Sequence, residues 1–330
     1  MKKLLSIALA LVLVLSMSTI AFADDYDGKL DKGTTFTKAY EVENGTAPAE
    51  TFDFAVEYVG FKDNEGKTAT AASHPTVTLG DAVFANAISA DSTADVSVTI
   101  TNYASVALGV YQYKITEVAP TTKTAGTTYN EEPVYLFVTV LRDEESANHY
   151  VAAIHYETAE GSKTGEIVNS YDAGQLSVTK QIEGNMADMK KKFEFTVTFT
   201  PAAGTKFDTS VQIANDKATT NRTYTATPNA DGTYTIVFEL GDNETATFTN
   251  IPAGTTYVVE EKADGYVSEN TTKADGSIAG GDKDADVWTN TLESDVDTGV
   301  FMDTMPYVLI LALAGAGFAL LVSRKAKREF

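Results

Sequence analysis

The stretch Phe193-Glu-Phe-Thr-Val-Thr-Phe199 alternates apolar and polar side chains at every second position. A period of two is typical of a β-strand that buries one face. Runs of the same kind recur at residues 51–58, 96–101, 133–140 and 234–240. Turn residues such as Asp231-Gly232 bound them, and only residues 186–192 suggest a turn of helix. The pattern predicts an all-β chain of antiparallel β-sandwiches.

The N-terminus has the composition of an export signal. Lys2 and Lys3 precede an apolar core, and Ala21-Phe22-Ala23 has the small-x-small pattern of a cleavage site. This order is typical of a secretory signal peptide. Residues 1–23 are therefore predicted to be removed, so that the mature chain begins at Asp24.

The C-terminus has the composition of a membrane anchor. Residues 305–322 are almost entirely apolar and long enough to span a bilayer as a helix. Four basic residues follow within residues 324–328, which places that end in the cytoplasm. The segment 295–330 is thus predicted to hold an exported protein at the membrane.

About 270 residues lie between these two segments, enough for two domains of ordinary size. A linker is expected near residues 171–175. The predicted domains are two tandem β-sandwiches, at 24–173 and 174–294.

Charge and cysteine content exclude several classes of function. The chain has 46 acidic and 25 basic residues, for a net charge of -21, and no cysteine. The acidic balance argues against nucleic acid and anionic lipid as partners. An exported chain without cysteine has no disulfides, so any covalent stabilisation must use other side chains.

An internal repeat carries the candidate chemistry. Each half contains a lysine in its opening strand and a Phe-x-Phe strand about fourteen residues later. Each then has a glutamate at the end of a tyrosine-led strand and an asparagine in its closing strand. The two ordered sets are Lys38, Glu117, Asn169 and Lys180, Glu261, Asn290. Glu260 is an alternative to Glu261 as the glutamate of the second set, because the adjacent pair Val258 and Val259 leaves it undecided which of the two side chains faces the core.

Strand alternation places these polar residues on apolar faces. Lys38 shares a face with Phe36 and Tyr40, and Lys180 shares one with Val178. Burial lowers the pKa of a lysine and raises that of a glutamic acid. A neutral amine can then attack the asparagine carbonyl while a protonated glutamate polarises it and relays protons as ammonia leaves. Each half is therefore predicted to form an internal Lys–Asn isopeptide bond with the glutamate as catalytic residue.

Together these features resemble the backbone pilins of Gram-positive, sortase-assembled pili, which are built from collagen-adhesin B-type immunoglobulin-like domains. The resemblance covers essentially the whole chain. It implies self-formed isopeptide bonds, no cofactor and a structural role without enzymatic turnover. It implies a sortase, neighbouring pilin subunits and, through a basal subunit, peptidoglycan as partners. The expected location is the cell surface, with the membrane as a transient anchor.

The resemblance also assigns the polymerisation chemistry. A sortase would cut between Thr298 and Gly299, hold the threonine as a thioester and transfer it to an amine of the next subunit. The family usually has a proline before the threonine, where this chain has Asp297 or Val296 according to the alignment. A divergent, dedicated sortase is therefore implied.

The acceptor amine has to be exposed. Lys163 lies in a glycine-flanked polar turn six residues before Asn169, the kind of position that the acceptor occupies in the two-domain pilins this chain resembles. Lys123 and Lys32 remain alternatives.

Other functions are less well supported by the sequence. A monomeric wall-anchored adhesin or stalk would carry the same domains, and a secreted enzyme would need paired carboxylates in a cleft. Asp282-x-Asp284-x-Asp286 with Glu293 has part of a calcium-loop pattern, but Val287 replaces the turn glycine. No metal site and no cofactor are predicted.

Overall fold

The computed structural model describes residues 34–207, 211–215, 222–224 and 229–294, which form β-strands joined by turns. The predicted signal peptide 1–23, the apolar segment 305–322, Thr298, Gly299 and Lys32 lie outside the described residues. Within the described ranges, no helix is long and apolar enough to cross a membrane. The 186–192 segment forms hydrogen-bonded turns. The all-β prediction is confirmed.

The first half of the chain forms two sheets, with strand orders β4-β6-β1-β12-β9 and β11-β10-β7-β2-β3, and β5 also pairs with β2. The strands are β1 (Thr34–Val42), β2 (Glu50–Asp63), β3 (Thr68–Ala69), β4 (Thr76–Leu79), β5 (Ala82–Phe84), β6 (Ser92–Thr101), β7 (Gly109–Val118), β8 (Lys123–Thr124), β9 (Thr127–Thr128), β10 (Val134–Arg142), β11 (His149–Glu157) and β12 (Glu166–Tyr171). Aromatic residues of the two sheets meet in the core: the ring centroids of Tyr40 and Phe52 are 5.2 Å apart. The arrangement is a β-sandwich.

The second half repeats this architecture, with strand orders β17-β16-β19-β13-β23-β21 and β18-β14-β20-β22. The strands are β13 (Ala173–Glu183), β14 (Phe193–Thr200), β15 (Thr205–Lys206), β16 (Val211–Asn215), β17 (Arg222–Tyr224), β18 (Tyr234–Leu240), β19 (Thr245–Pro252), β20 (Thr256–Glu261), β21 (Val267–Asn270), β22 (Asp275–Ser277) and β23 (Lys283–Thr291). Phe199 and Phe238 both pack against Phe248 across the sheets, with ring centroids 5.6 and 5.2 Å away. A separate apolar core results.

The first and last strands of each half pair in parallel, β1 with β12 and β13 with β23. The prediction of antiparallel sandwiches is wrong for these two strand pairs. Parallel neighbours need a long crossover connection, and here the rest of each half provides it. Hydrophobic alternation does not distinguish the two pairings, since both have a side-chain period of two.

The two halves join at a single residue outside the strands, Asp172, so the link is shorter than residues 171–175. Asn44 Nδ2 donates a hydrogen bond to Asp172 Oδ1 at 2.8 Å. Asn250 Oδ1 accepts from the Thr46 N–H at 2.7 Å, and its Nδ2 donates to the Thr46 carbonyl at 3.1 Å. Strand β8 of the first half also pairs with β15 of the second. Both halves therefore contribute hydrogen bonds to this junction.

Candidate functional site

The first candidate site is built on the parallel pair β1 and β12. In their register Lys38 is opposite Ile167, so Asn169 lies two residues further along β12. Alternation returns Asn169 to the face that bears Ile167, and both Lys38 and Asn169 are fully buried. Lys38 Nζ donates a hydrogen bond to the Ile167 carbonyl at 3.3 Å.

The opposite sheet supplies the glutamate. Glu117, near the end of β7, projects its carboxyl group between the other two side chains. Its Oε2 lies 3.0 Å from Lys38 Nζ, and its Oε1 accepts a hydrogen bond from Asn169 Nδ2 at 2.6 Å. The amide oxygen of Asn169 accepts a further bond, from the backbone N–H of Asn130 at 2.8 Å. The structure thus brings together the three residues that the sequence grouped.

The second half repeats this geometry. Lys180 is opposite Trp288 in the β13 and β23 register and donates to the Trp288 carbonyl at 3.3 Å. Glu261 Oε1 lies 3.0 Å from Lys180 Nζ and accepts from Asn290 Nδ2 at 3.0 Å. The Ser268 hydroxyl donates to Glu261 Oε2 at 2.5 Å. Lysine, glutamate and asparagine are again fully buried.

The structure also distinguishes the two candidate glutamates of the second half. Along β20, Tyr257 and Val259 are buried, while Val258 and Glu260 are exposed. Alternation therefore directs Glu261 inward, and its side chain is the one in contact with Lys180.

An aromatic ring lies under each lysine. Lys38 Nζ is 4.8 Å from the ring centroid of Phe52, and Lys180 Nζ is 4.8 Å from that of Phe193. These are the first phenylalanines of the two Phe-x-Phe motifs. The repeat of the Phe-x-Phe motif in both halves carries no signal that its first phenylalanine covers the lysine amine.

Burial changes the ionisation of both lysines. Desolvation lowers the pKa of Lys38 to about 8, although the Glu117 charge acts in the opposite direction. Desolvation also lowers the pKa of Lys180, against the raising effect of Glu261. A larger neutral fraction at physiological pH makes each amine a better nucleophile than an exposed lysine.

This pKa shift predicts a pH-dependent stability in an Asn169→Ala variant, where the Lys38 amine has no amide to react with. Because burial lowers the pKa of Lys38 to about 8, we expect the folded variant to release this proton near pH 8 and the unfolded variant to retain it up to about pH 10.5. The unfolded state binds more protons in that window, so stability should increase as pH rises from 8 to 10. The expected gain is about 2 to 3 kcal/mol, measured by urea unfolding.

The matched control for this experiment is the double variant Lys38→Met, Asn169→Ala. Tyrosine ionisation contributes equally to both proteins and cancels in the difference between them. A rise of equal size in the double variant would contradict the assignment to Lys38.

Lys163 lies outside both buried sites. It is exposed, in the loop of residues 158–165 that connects β11 to β12. Backbone hydrogen bonds close this loop, from the Thr158 N–H to the Ser162 carbonyl and from the Thr164 N–H to the Tyr156 carbonyl. Lys123 is instead half-buried in β8 at the junction.

Two aspartates of the acidic run at residues 282–286, which has part of a calcium-loop pattern, accept hydrogen bonds within the fold. Asp286 is fully buried and accepts hydrogen bonds from Asn270 Nδ2, Thr272 Oγ1 and Trp288 Nε1. Asp284 accepts one from the Tyr257 hydroxyl at 2.9 Å. Among the described residues, no group of acidic or histidine side chains has the arrangement of a metal site.

The chain is similar to pilins in both sequence and structure. Residues 174–292 match the family model described as a domain of unknown function, DUF7601. Over 236 residues the chain is 32% identical to the protein named Pilin from Streptococcus pyogenes serotype M1, covering 66% of this chain and 68% of that protein. A crystal structure of a mutant of the major pilin from Streptococcus pyogenes matches with 25% identity and a TM-score of 0.51, covering 79% of this chain and 99% of that one. Another structure of that major pilin matches with 24% identity and the same TM-score. The chain therefore belongs to the pilin family.

Proposed function

We propose that this chain is a structural subunit of a covalent cell-surface pilus, with one self-formed isopeptide bond in each of its two sandwich domains. One observation carries the proposal: two separate cores contain the same buried Lys–Glu–Asn arrangement, at the same register of first and last strands. A buried ion pair is a poor source of stability, since desolvation offsets much of its attraction. Isopeptide formation would remove the charges of the buried lysine and glutamate, so it accounts for a buried ion pair that stability alone does not explain.

The reaction needs no external reagent. Proton transfer from Lys38 to Glu117 across 3.0 Å yields a neutral amine and a neutral carboxylic acid. The amine attacks the side-chain carbonyl carbon of Asn169 and forms a new C–N bond. Glu117 passes its proton to the amide nitrogen of Asn169 and accepts one proton from the attacking nitrogen. The old C–N bond breaks, ammonia leaves, and Glu117 remains a neutral acid. Lys180, Glu261 and Asn290 would react in the same way.

The position of the bonds suits a load-bearing fibre. Each bond would join the first and last strands of its domain and close a loop of over a hundred residues. The chain-entropy model used for disulfides gives a stabilisation of about 5 kcal/mol for such a loop. Pulling force applied at the two ends of a domain would pass through the amide, so the strands between would not unzip.

The ends of the subunit are suited to head-to-tail joining. The proposed domains are 24–173 and 174–294, and the two apolar cores are divided at the same point, Ala173 ending one and Leu176 beginning the other. The loop of Lys163 precedes β12, so it lies at the end of its domain remote from Asp172. Ser294 follows β23 and lies at the end of the second domain remote from Asp172.

The polymerisation steps follow from this layout. The signal peptide 1–23 would direct export, and the segment 305–322 would hold the subunit at the membrane. A sortase would then cut after Thr298 and transfer it to Lys163 of another subunit. Assembly thereby releases the membrane anchor, with pilin subunits, the sortase and wall peptidoglycan as partners at the cell surface.

Mass spectrometry of digested native polymer tests this proposal. The expected result is a branched peptide in which the carboxyl group of Thr298 is joined to the ε-amine of Lys163. A wall-linked chain that yields only one monomer-sized species, with no branched peptide between two copies, would contradict polymerisation and favour a monomeric stalk.

A further inference from the structure

A backbone group contacts the reacting amide in the first domain. The N–H of Asn130 donates a hydrogen bond of 2.8 Å to Asn169 Oδ1. That oxygen acquires negative charge when the lysine amine adds to the carbonyl carbon. A donor fixed at such an oxygen stabilises the transition state, which is the role of an oxyanion hole.

The loop that carries this N–H is held from several sides. Residues 127 and 128, just before it, pair with β12 as strand β9. The Tyr129 hydroxyl donates to Glu50 and accepts from the Thr124 N–H. Asn130 Nδ2 donates to the Glu132 carbonyl at 2.7 Å. The amide is therefore oriented before any reaction, so it requires little reorganisation when charge develops.

The second domain differs in the hydrogen bonding of the corresponding asparagine side-chain oxygen. Asn290 Oδ1 is buried and has no hydrogen-bond partner among the residues that the structure describes. In both domains the glutamate carboxylate contacts the lysine amine and the asparagine amide nitrogen, through two different oxygens in Glu117 and through Oε1 alone in Glu261. The Asn130 N–H is thus an addition to the first site, and the second domain provides an internal control.

We propose that the backbone N–H of Asn130 acts as the oxyanion donor for isopeptide formation in the first domain. This inference rests on the proposed function, because it concerns the rate of the Lys38–Asn169 reaction. The hydrogen bond polarises the Asn169 carbonyl before attack and strengthens as the tetrahedral intermediate forms. The bond persists to the product, whose amide oxygen is the same atom.

An amide-to-ester replacement at residue 130 tests the proposal with minimal change of shape. Residues 24–294 are made by cell-free translation with lactic acid at position 130, which replaces the N–H by an oxygen. The matched control is Asn130→Ala, which keeps the N–H and has the same side chain. Samples are quenched over time and digested, and the cross-linked and linear peptides of each domain are quantified by mass spectrometry.

The Asn130→Ala protein should form the Lys180–Asn290 bond at the wild-type rate, and its Lys38–Asn169 rate is the reference for the ester protein, since both lack the Asn130 side chain. The ester protein should form the Lys38–Asn169 bond about 10²-fold more slowly, the typical effect of losing one oxyanion donor. Its Lys180–Asn290 bond should form at the normal rate. Equal rates for the ester and alanine proteins in the first domain would overturn the proposal. Absence of both bonds in the wild-type chain would instead refute the proposed function.

A second variant covers the case in which the ester prevents folding of the first domain. Tyr129→Phe retains every backbone amide but removes the hydroxyl that fixes the loop. Its first-domain bond should form several-fold more slowly than the wild-type bond, with the second domain unaffected. An unchanged first-domain rate in Tyr129→Phe would contradict a rate contribution from the anchored loop.

Discussion

Glu117→Ala and Glu261→Ala are each expected to lower the melting temperature of the domain that carries the change by about 10 to 20 °C. Without the carboxyl group the amide is not activated, so no cross-link forms. The lost chain-entropy term is about 5 kcal/mol for a loop of over a hundred residues. For a domain of about 150 residues, a loss of 1 kcal/mol in the free energy of unfolding lowers the melting temperature by roughly 2 to 4 °C. Differential scanning calorimetry would measure the transition of each domain.

The alanine variants also leave a buried lysine without its carboxylate, which is itself destabilising. Asn169→Ala and Asn290→Ala separate the two effects, since they prevent the cross-link but keep the ion pairs of 3.0 Å. These variants should lose most of the same thermal stability. If Asn169→Ala melted at the wild-type temperature, the cross-link would not contribute to the stability of the first domain.

Lys163→Arg is expected to abolish the ladder of high-mass species in extracts of the cell wall. Arginine retains the positive charge and the exposed loop position, but its guanidinium does not lose a proton at biological pH and therefore provides no neutral amine nucleophile. The sortase would therefore hold Thr298 without an acceptor. Immunoblotting of wall extracts from cells producing the variant measures the ladder directly.

Lys123→Arg is the matched control for this experiment. Lys123 is half-buried, 3.7 Å from Glu131, and its strand pairs with β15 of the second domain. Its variant should form a normal ladder. A normal ladder from Lys163→Arg would remove the assignment of Lys163 as acceptor, and loss of the ladder in Lys123→Arg alone would transfer that role to Lys123.

Much of the site could be predicted because it follows from local alternation. The phenylalanine and tyrosine neighbours of Lys38 in β1 define a buried face, and the lysine lies in that face. The same reasoning applies to Asn169, which lies between the buried residues Ile167 and Tyr171. Repetition of the ordered set in both halves made a chance arrangement improbable. Alternation indicates which side chains face the core, although Thr37 and Ala39 on the other face of β1 are buried as well.

Strand neighbours could not be predicted in the same way. The parallel pairing of β1 with β12 depends on contacts between residues more than a hundred positions apart, and a parallel and an antiparallel neighbour require the same alternation. The Asn130 N–H was missed for a related reason. A backbone N–H is present whatever the side chain, so residue type does not identify the donor. Only its position beside Asn169 in the structure does.

The junction between the domains was also only partly predictable. Gly174 and Gln175 have the composition of a linker but belong to strand β13. Asn250, which hydrogen-bonds to Thr46 across 204 positions of sequence, has no local pattern that would identify it. Its backbone φ of 59° places it in the left-handed region, which asparagine tolerates better than most residues.

The intact mass of the purified ectodomain, residues 24–294, tests the central claim most directly. Formation of both isopeptide bonds predicts a mass below that of the sequence by two molecules of ammonia. Glu117→Ala or Glu261→Ala should each restore one of them, and the double variant should restore both. A wild-type mass equal to that of the sequence would contradict the claim that the two buried Lys–Glu–Asn sets react.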